Sequence, residues 1–183
     1  VVAPCSACFF RFKSALSDLG LAPDPSKQNG SDEGGSAEQA AGHLPARTRQ
    51  AGELRAAVEQ RTGHAYQNRL RVLSVLDLLT ETVGVQRLRE RAATPLRGLR
   101  VVSYYGCLLT RPPAVTGADH AENPQQMDAL ATALGAQAVD WSYKTDCCGG
   151  SLSLTRTELA LALTRKLLLA AQALNADAII TSC

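Results

Sequence analysis

The sequence predicts an α/β fold, a parallel sheet with flanking helices, on three observations. The second half alternates β-branched runs with helical periodicity in the order β-α-β-α-β, an order that joins parallel neighbours through right-handed crossovers. Cysteines follow each of those strand-like runs: Cys107 the first, Cys147 and Cys148 the second, Cys183 the third. Cys5 and Cys8 likewise follow Val1-Val2-Ala3. In an open parallel sheet the carboxyl ends of the strands share one edge, so residues far apart in sequence converge there.

Taken in order, Cys5 to Leu19 carries an apolar stripe at Phe9, Phe12 and Leu16 with helical spacing, and Gly20 suits the position just past a helix end. Residues 21–45 are crowded with Pro, Gly, Ser, Asp and Gln and hold few large apolar side chains, which predicts a flexible insertion. Helices are expected again at 46–61, at 65–83 with Leu70, Leu73, Leu76, Leu78 and Leu79 on a broad apolar face closed by Gly84, and at 85–92. Thr94-Pro95 then breaks the helical pattern.

Leu99 to Tyr105 is rich in β-branched and aromatic residues and reads as the first strand of the alternating half. The next helix is expected to open with Asn123 as N-cap, Pro124 at the first position and Gln126 completing a capping box, and to stop at Gly135. A second strand is predicted at Ala138 to Tyr143. Thr155 and Glu158 have capping-box spacing ahead of a helix whose leucines run from Leu159 to Leu174, ended by Asn175, and Ala178 to Thr181 forms the third strand.

Composition bounds the function. A net charge of +2 in 183 residues is too small to gather nucleic acid. The arginines between 43 and 100 are interleaved with leucines, alanines and glutamates, as on a solvated helix face. No apolar run approaches the roughly 18 residues of a membrane span, and the start has none of the features of a signal peptide, so a cytoplasmic location is expected. The opening without methionine and the stop at Cys183 predict a fragment of a longer protein. No Gly-rich phosphate loop, Gly-x-Ser-x-Gly elbow or His-Glu-x-x-His helix is present, so hydrolase and nucleotide-binding readings lack support. His43, His64 and His120 share no spacing and read as surface residues.

Six cysteines at strand ends are therefore the candidate site: Cys5, Cys8, Cys107, Cys147, Cys148 and Cys183. Thiolate coordination of iron or zinc needs several sulfurs around one centre, and adjacent strand ends supply that. Gly149-Gly150 lets backbone approach an inorganic group closely. Structural disulfides are disfavoured without a sign of secretion, and a bond between Cys147 and Cys148 would be strained. Unligated buried cysteines explain a scattered set better than one confined to strand ends. Zinc stays open on the Cys5-x-x-Cys8 pair, although an adjacent pair is unusual among zinc spacings. Arg111 and Lys144 lie in the same loops and are weak candidates for steadying an anionic substrate.

At these residues the sequence resembles the CCG-domain family, and within it the B subunits of heterodisulfide reductases. The resemblance rests on Pro4-Cys5-Ser6-Ala7-Cys8, on Tyr104-Tyr105-Gly106-Cys107-Leu108-Leu109 with Arg111-Pro112, on Cys147-Cys148-Gly149-Gly150-Ser151-Leu152, and on Thr181-Ser182-Cys183. It implies two copies of a motif made of a cysteine, a Cys-Cys-Gly and a Cys-x-x-Cys, each holding a non-cubane 4Fe-4S cluster. Cys5 and Cys8 then belong to the tail of the first copy (1–20), followed by the polar insertion (21–45), a helical connecting region (46–98) and a second CCG domain (99–183) cut before its last cysteine. The likeness of Val1-Val2-Ala3-Pro4-Cys5 to Ile179-Ile180-Thr181-Ser182-Cys183 is the internal repeat this implies.

The resemblance further implies reductive cleavage of a disulfide bound between two clusters, each sulfur being captured by a cluster iron. The substrate would be the CoB-CoM heterodisulfide or a related one. Electrons would come from a ferredoxin-like iron-sulfur subunit of the C type and a flavin subunit of the A type. Two other readings remain beside it: an electron-transfer CCG subunit of a lactate- or glycolate-type oxidoreductase, and a zinc-stabilised module without turnover.

Overall fold

β3 (Arg100–Tyr104) is the centre of a three-stranded parallel sheet, flanked by β4 (Gln137–Ala138) on one side and β5 (Ala178–Thr181) on the other. The computed structural model describes residues 1–21, 44–65, 67 and 70–182, with the backbone alone for 44–48. The polar stretch expected at 21–45 falls almost wholly outside the described residues, as do His43 and Cys183. β3 pairs with β5 from Val101↔Ala178 to Tyr104↔Thr181, so both strands end in register at one edge.

Alternation along β3 decides what each face buries. Val102 and Tyr104 pack with Trp141 and with Leu167 and Ala171 of α8 (Thr157–Ala173). On the opposite face Val101 meets Ala131 of α7 (Gln126–Ala133), and Ser103 donates to Asp128 Oδ1 of the same helix at 2.6 Å. The sheet is thus covered on both faces, the usual condition of parallel strands. α8 carries more leucine than it buries: Leu161 and Leu168 stay on its outer side.

A second, two-stranded sheet joins β1 (Val2–Ala3) in parallel to β2 (Leu73–Ser74). From β1 the chain enters α1 (Ser6–Asp18), which ends before Gly20 as its sequence predicts. α2 (Leu44–Thr62) follows, then β2, α3 (Val75–Asp77), a π-helical stretch (Leu78–Gly84) and α4 (Val85–Arg91). Ala3, Phe9, Val72, Leu76, Tyr105, Leu109 and Met127 form one buried cluster. That cluster fastens the small sheet and α1 to the carboxyl edge of the large sheet.

Several local expectations are corrected. The helix expected at 65–83 starts only at Val75, because Leu73 and Ser74 pair with β1 and Ser74 closes a reciprocal capping box with Asp77. The strand expected at 138–143 is two residues long; beyond it the chain turns so that Trp141 enters the α8 face and donates its indole N–H to Ser103 O at 2.8 Å. α7 begins at Gln126 with Gln125 in the cap position, and Asn123 serves elsewhere. No side chain caps α8, whose first residue is Thr157, so the Thr155 and Glu158 pair forms no capping box.

Candidate metal centre

Cys107 opens α5 (Cys107–Thr110), two residues beyond Tyr105 at the carboxyl edge of the large sheet. Cys147 and Cys148 lie nine and ten residues past the short β4, yet their loop returns to the same edge. The tie is the carbonyl of Lys144, which accepts the Tyr105 N–H at 2.8 Å and the Gly106 N–H at 3.2 Å. Tyr104 adds a second tie by donating its hydroxyl to Asp146 O at 2.7 Å. Two loops more than thirty residues apart are thereby laced together immediately beside their cysteines.

Lys144 also anchors this junction from its other end. Its ammonium, 3% exposed, lies 2.8 Å from Asp128 Oδ2 and 2.9 Å from Asp140 Oδ1, and donates to Asn123 Oδ1 at 2.9 Å. The two carboxylate contacts are ion pairs; the bond to Asn123 has the directed hydrogen-bond geometry. Three donors facing three oxygens leave this cation nothing to offer a substrate, which corrects its expected anion-steadying role. Burial pushes the Lys144 pKa down, but Asp128 and Asp140 outweigh it and the net shift is upward. Asp140 is held below the usual carboxylate range by the hydrogen bond and charge of Lys144.

The pH dependence of this brace follows from those directions. The Asp140 contribution is present above its unfolded pKa and lost as pH falls through the depressed folded value; the Lys144 contribution is present below its unfolded pKa and lost as pH rises through the raised one. The stability difference between the protein and a Lys144→Met variant should therefore stay flat from about pH 5 to about pH 9 and shrink outside that window. Urea midpoints across that range check it; a difference that changes between pH 6 and pH 8 would contradict it.

Arg111 is likewise engaged within the protein. Its guanidinium grips the Glu122 carboxylate with two nitrogens, Nε donating to Oε1 at 3.0 Å, and Nη2 also donates to Thr145 Oγ1 at 3.0 Å. It bonds the Cys107 loop to the Cys147 loop once more, and Glu122 offsets the charge that was expected to meet an anion.

The Cys-Cys-Gly-Gly turn has its own device. Gly149 adopts φ +78°, and its N–H donates to Cys147 Sγ at 3.3 Å. A Cβ there would sit 2.9 Å from Ala160 Cα in α8, a backbone atom that cannot step aside. Gly149→Ala combines left-handed strain with overpacking and should cost about 2–4 kcal/mol. A urea midpoint within error of the parent would refute that reading.

Cys5 is the cap residue of α1 and Cys8 lies in its first turn, both exposed. The Cys5 thiol makes no full capping hydrogen bond, but the backbone N–H groups of Cys8 and Ala7 and the Cys8 thiol favour its thiolate and lower its pKa, while the Cys8 thiol is raised by Cys5. α1 packs directly on α5 and on α6 (Pro113–Thr116), so this pair stands on the helix that abuts the Cys107 turn. Cys107 and Cys148 are half-buried, and Cys148 touches the α8-side core.

Five of the six predicted cysteines therefore lie in turns that the packing joins, and the sixth, Cys183, is outside the described residues. Among the described residues no three Cys, His, Asp or Glu side chains already form a metal-binding group. The donor set fits soft iron or zinc in kind, since the turns bring several thiols and the neighbouring Asp146 carboxylate is paired with Lys166. His64 and His120 are exposed. Also among the described residues, no helix is long and apolar enough to cross a membrane.

A cavity of about 140 Å³ opens beside the cysteine-bearing turns, between Phe9 of α1, Leu109 and Thr110 of α5, Ser74 of the small sheet and Asp77 of α3. The sequence reading did not anticipate it: Asp77 read as part of an apolar helix, while His120, exposed as expected, stands at its rim. The Ser74-x-x-Asp77 spacing was the one available cue for a break at this point.

Residues 101–183 match the family model described as a cysteine-rich domain, CCG. The chain is 29% identical over 119 residues to the 8-methylmenaquinol:fumarate reductase membrane anchor subunit of Wolinella succinogenes, covering 65% of this chain and 41% of that protein. It is 33% identical over 87 residues to the B subunit of the ferredoxin/F420H2-dependent CoB-CoM heterodisulfide reductase of Methanosarcina acetivorans, covering 48% of this chain and 29% of that protein. With a protein of Archaeoglobus profundus described as like the heterodisulfide reductase B subunits it shares 30% identity over 125 residues, 66% of this chain and 42% of the other. The chain thus spans less than half the length of these relatives. The CCG match falls on residues 101–183, the half of the chain that carries Cys107, Cys147 and Cys148, and the likeness to heterodisulfide reductase B subunits accompanies it.

Proposed function

We propose that this chain is part of an iron-sulfur subunit that reduces a disulfide within a larger reductase complex. One observation carries the reading: the Lys144 carbonyl laces the Cys107 turn to the Cys147-Cys148-Gly149-Gly150 loop, inside the CCG domain, at the edge where parallel sheets place ligands. Cys107, Cys147, Cys148 and Cys183 are the proposed ligands of one non-cubane 4Fe-4S cluster, and Cys5 and Cys8 contribute to a second. Such clusters supply single electrons.

Net reduction converts one disulfide, two electrons and two protons into two thiols, so two one-electron deliveries are needed. The chain's own part is to fix the two cysteine turns against each other. Gly149 N–H directed at Cys147 Sγ orients the sulfur of one proposed ligand. Electrons are proposed to arrive from a ferredoxin-like subunit of the C type and a flavin subunit of the A type, in the cytoplasm.

The likeness to a fumarate reductase subunit favours a second reading, electron transfer by the CCG domain with no disulfide reduced, as in a lactate- or glycolate-type oxidoreductase. The full-length protein, purified without oxygen and supplied with a chemically reduced viologen, separates the two. Thiol release from added disulfide supports the first reading; viologen oxidation only when a quinone is present, with no thiol formed, supports the second. Stoichiometric zinc without iron would reject both and leave a zinc-stabilised module.

A further inference from the structure

The cavity between α1, α3 and α5 runs from solvent toward the turn that carries Cys107. Asp119 and His120 stand exposed at its rim, while Tyr105, 1% exposed, and Thr110, 3% exposed, lie at its inner end beside Phe9 and Leu109. Ser74, Tyr105 and Thr110 put hydroxyl-bearing residues on the wall, and Gln125 and Gln126 border it too. Dry cavities are lined by apolar groups alone, and a wall of this mixed kind holds water. At about 30 Å³ per molecule, a volume of about 140 Å³ admits a chain of about four waters.

Thr110 is the residue that gives the chain a direction. Thr62 and Thr80 each return the hydroxyl to the carbonyl four residues back, both at 2.9 Å. Thr110 does not, because its counterpart would be Gly106, which precedes α5 at φ +67° and outside the helical conformation. Its buried hydroxyl therefore has no hydrogen-bond partner among the described residues, and water is what satisfies such a group. Residues three apart in a helical turn have Cβ atoms about 5–6 Å apart, so Thr110 is also the neighbour of Cys107 on α5. Tyr105 accepts the Met127 N–H at 2.6 Å and burial raises its pKa, so it keeps its proton and orients water instead of titrating.

We propose that this cavity is the inlet through which protons reach the Cys107 side of the site, with the Thr110 hydroxyl as the relay between cavity water and the newly formed thiolate. One disulfide and two electrons, delivered by the donor subunits proposed above, give two thiolates, and two protons from solvent convert these to thiols. At each transfer the hydroxyl takes a proton from water and releases its own, so it ends unchanged. The proton role rests on the disulfide-reducing reading, while the hydration of the cavity rests on its wall alone.

Thr110→Val keeps the shape and removes the hydroxyl, and Thr110→Ser keeps the hydroxyl. A crystal structure of the full-length protein should place ordered water within hydrogen-bond distance of Thr110 Oγ1. With reduced viologen as donor and hydroxyethyl disulfide as acceptor, thiol formation by the valine protein should fall about tenfold for each pH unit above neutrality, where delivery depends on bulk hydronium. Its rate ratio between light and heavy water should rise above the parent's. The serine protein should return both readouts to the parent's, and all three proteins should carry the same iron and visible absorbance, since Thr110 is not a ligand.

A valine protein with the parent's pH profile and solvent isotope ratio would overturn the route, as would a cavity without water at Thr110. No thiol from the parent, with water present at Thr110, would overturn the disulfide-reducing reading and the proton role together, leaving only the hydrated cavity.

Discussion

Serine in place of Cys147 or Cys148 is expected to abolish iron binding at the Cys107, Cys147, Cys148 site while the sheet stays folded. The loss should be complete, because a serine oxygen is a hard, protonated donor where soft iron needs a thiolate. The fold should barely notice. Cys147 is exposed, and Cys148 is half-buried at the margin of the core formed by Val102, Tyr104 and Trp141, so each change should cost within about 1 kcal/mol. Far-UV circular dichroism and urea midpoints measure the second half of this statement, iron and visible absorbance the first. Unchanged cluster spectra in both variants would show that these cysteines are not ligands.

Lys144→Met should have the largest effect on stability of any single change away from the sulfurs. Methionine keeps much of the volume but removes the cation, leaving the Asp128 carboxylate, 13% exposed, without its counter-charge. Breaking a buried pair from one side typically costs about 3–5 kcal/mol, which for a chain of this size lowers the melting temperature by roughly 6–20 °C. The Lys144 carbonyl holds the amides of Tyr105 and Gly106, so loosening this residue also loosens the turn that carries Cys107. A companion Asp128→Asn, Lys144→Met double variant should recover part of the loss, since it leaves no orphaned charge. A single variant that melts within about 2 °C of the parent, below the range that pair implies, would contradict the brace.

The central strand and the main helices were legible because local pattern decides them. β3 is a run of β-branched and aromatic residues, α1 and α8 have clear apolar spacing, and Gly20 and Gly135 stand just past the ends of α1 and α7. Where long-range contacts decide, the pattern misled. Leu73 and Ser74 sit in an apolar run with helical spacing, yet pairing with Val2 and Ala3 makes them a strand. Asn123 has the chemistry of a cap, but its side chain is claimed by Lys144.

The candidate site was legible in the same proportion. That Cys107 follows β3 could be read from sequence. That the Cys147 loop shares its edge was expected too; the tie that holds it there, one carbonyl accepting two amides from 39 and 38 positions earlier, could not be read. Lys144 and Arg111 looked like substrate cations because their carboxylate partners, Asp128, Asp140 and Glu122, are assembled only in three dimensions. The cavity is invisible for the same reason: its walls come from β2, the residue after β3, and α1, α3, α5, α6 and α7.

X-ray absorption at the iron and zinc edges of the full-length protein, prepared without oxygen, tests the central claim most directly. Thiolates meeting at one sheet edge predict iron surrounded by sulfur, with no more than trace zinc, and a loss of that signal in the Cys147→Ser protein. A full complement of zinc, or iron bound by nitrogen and oxygen alone, would contradict it.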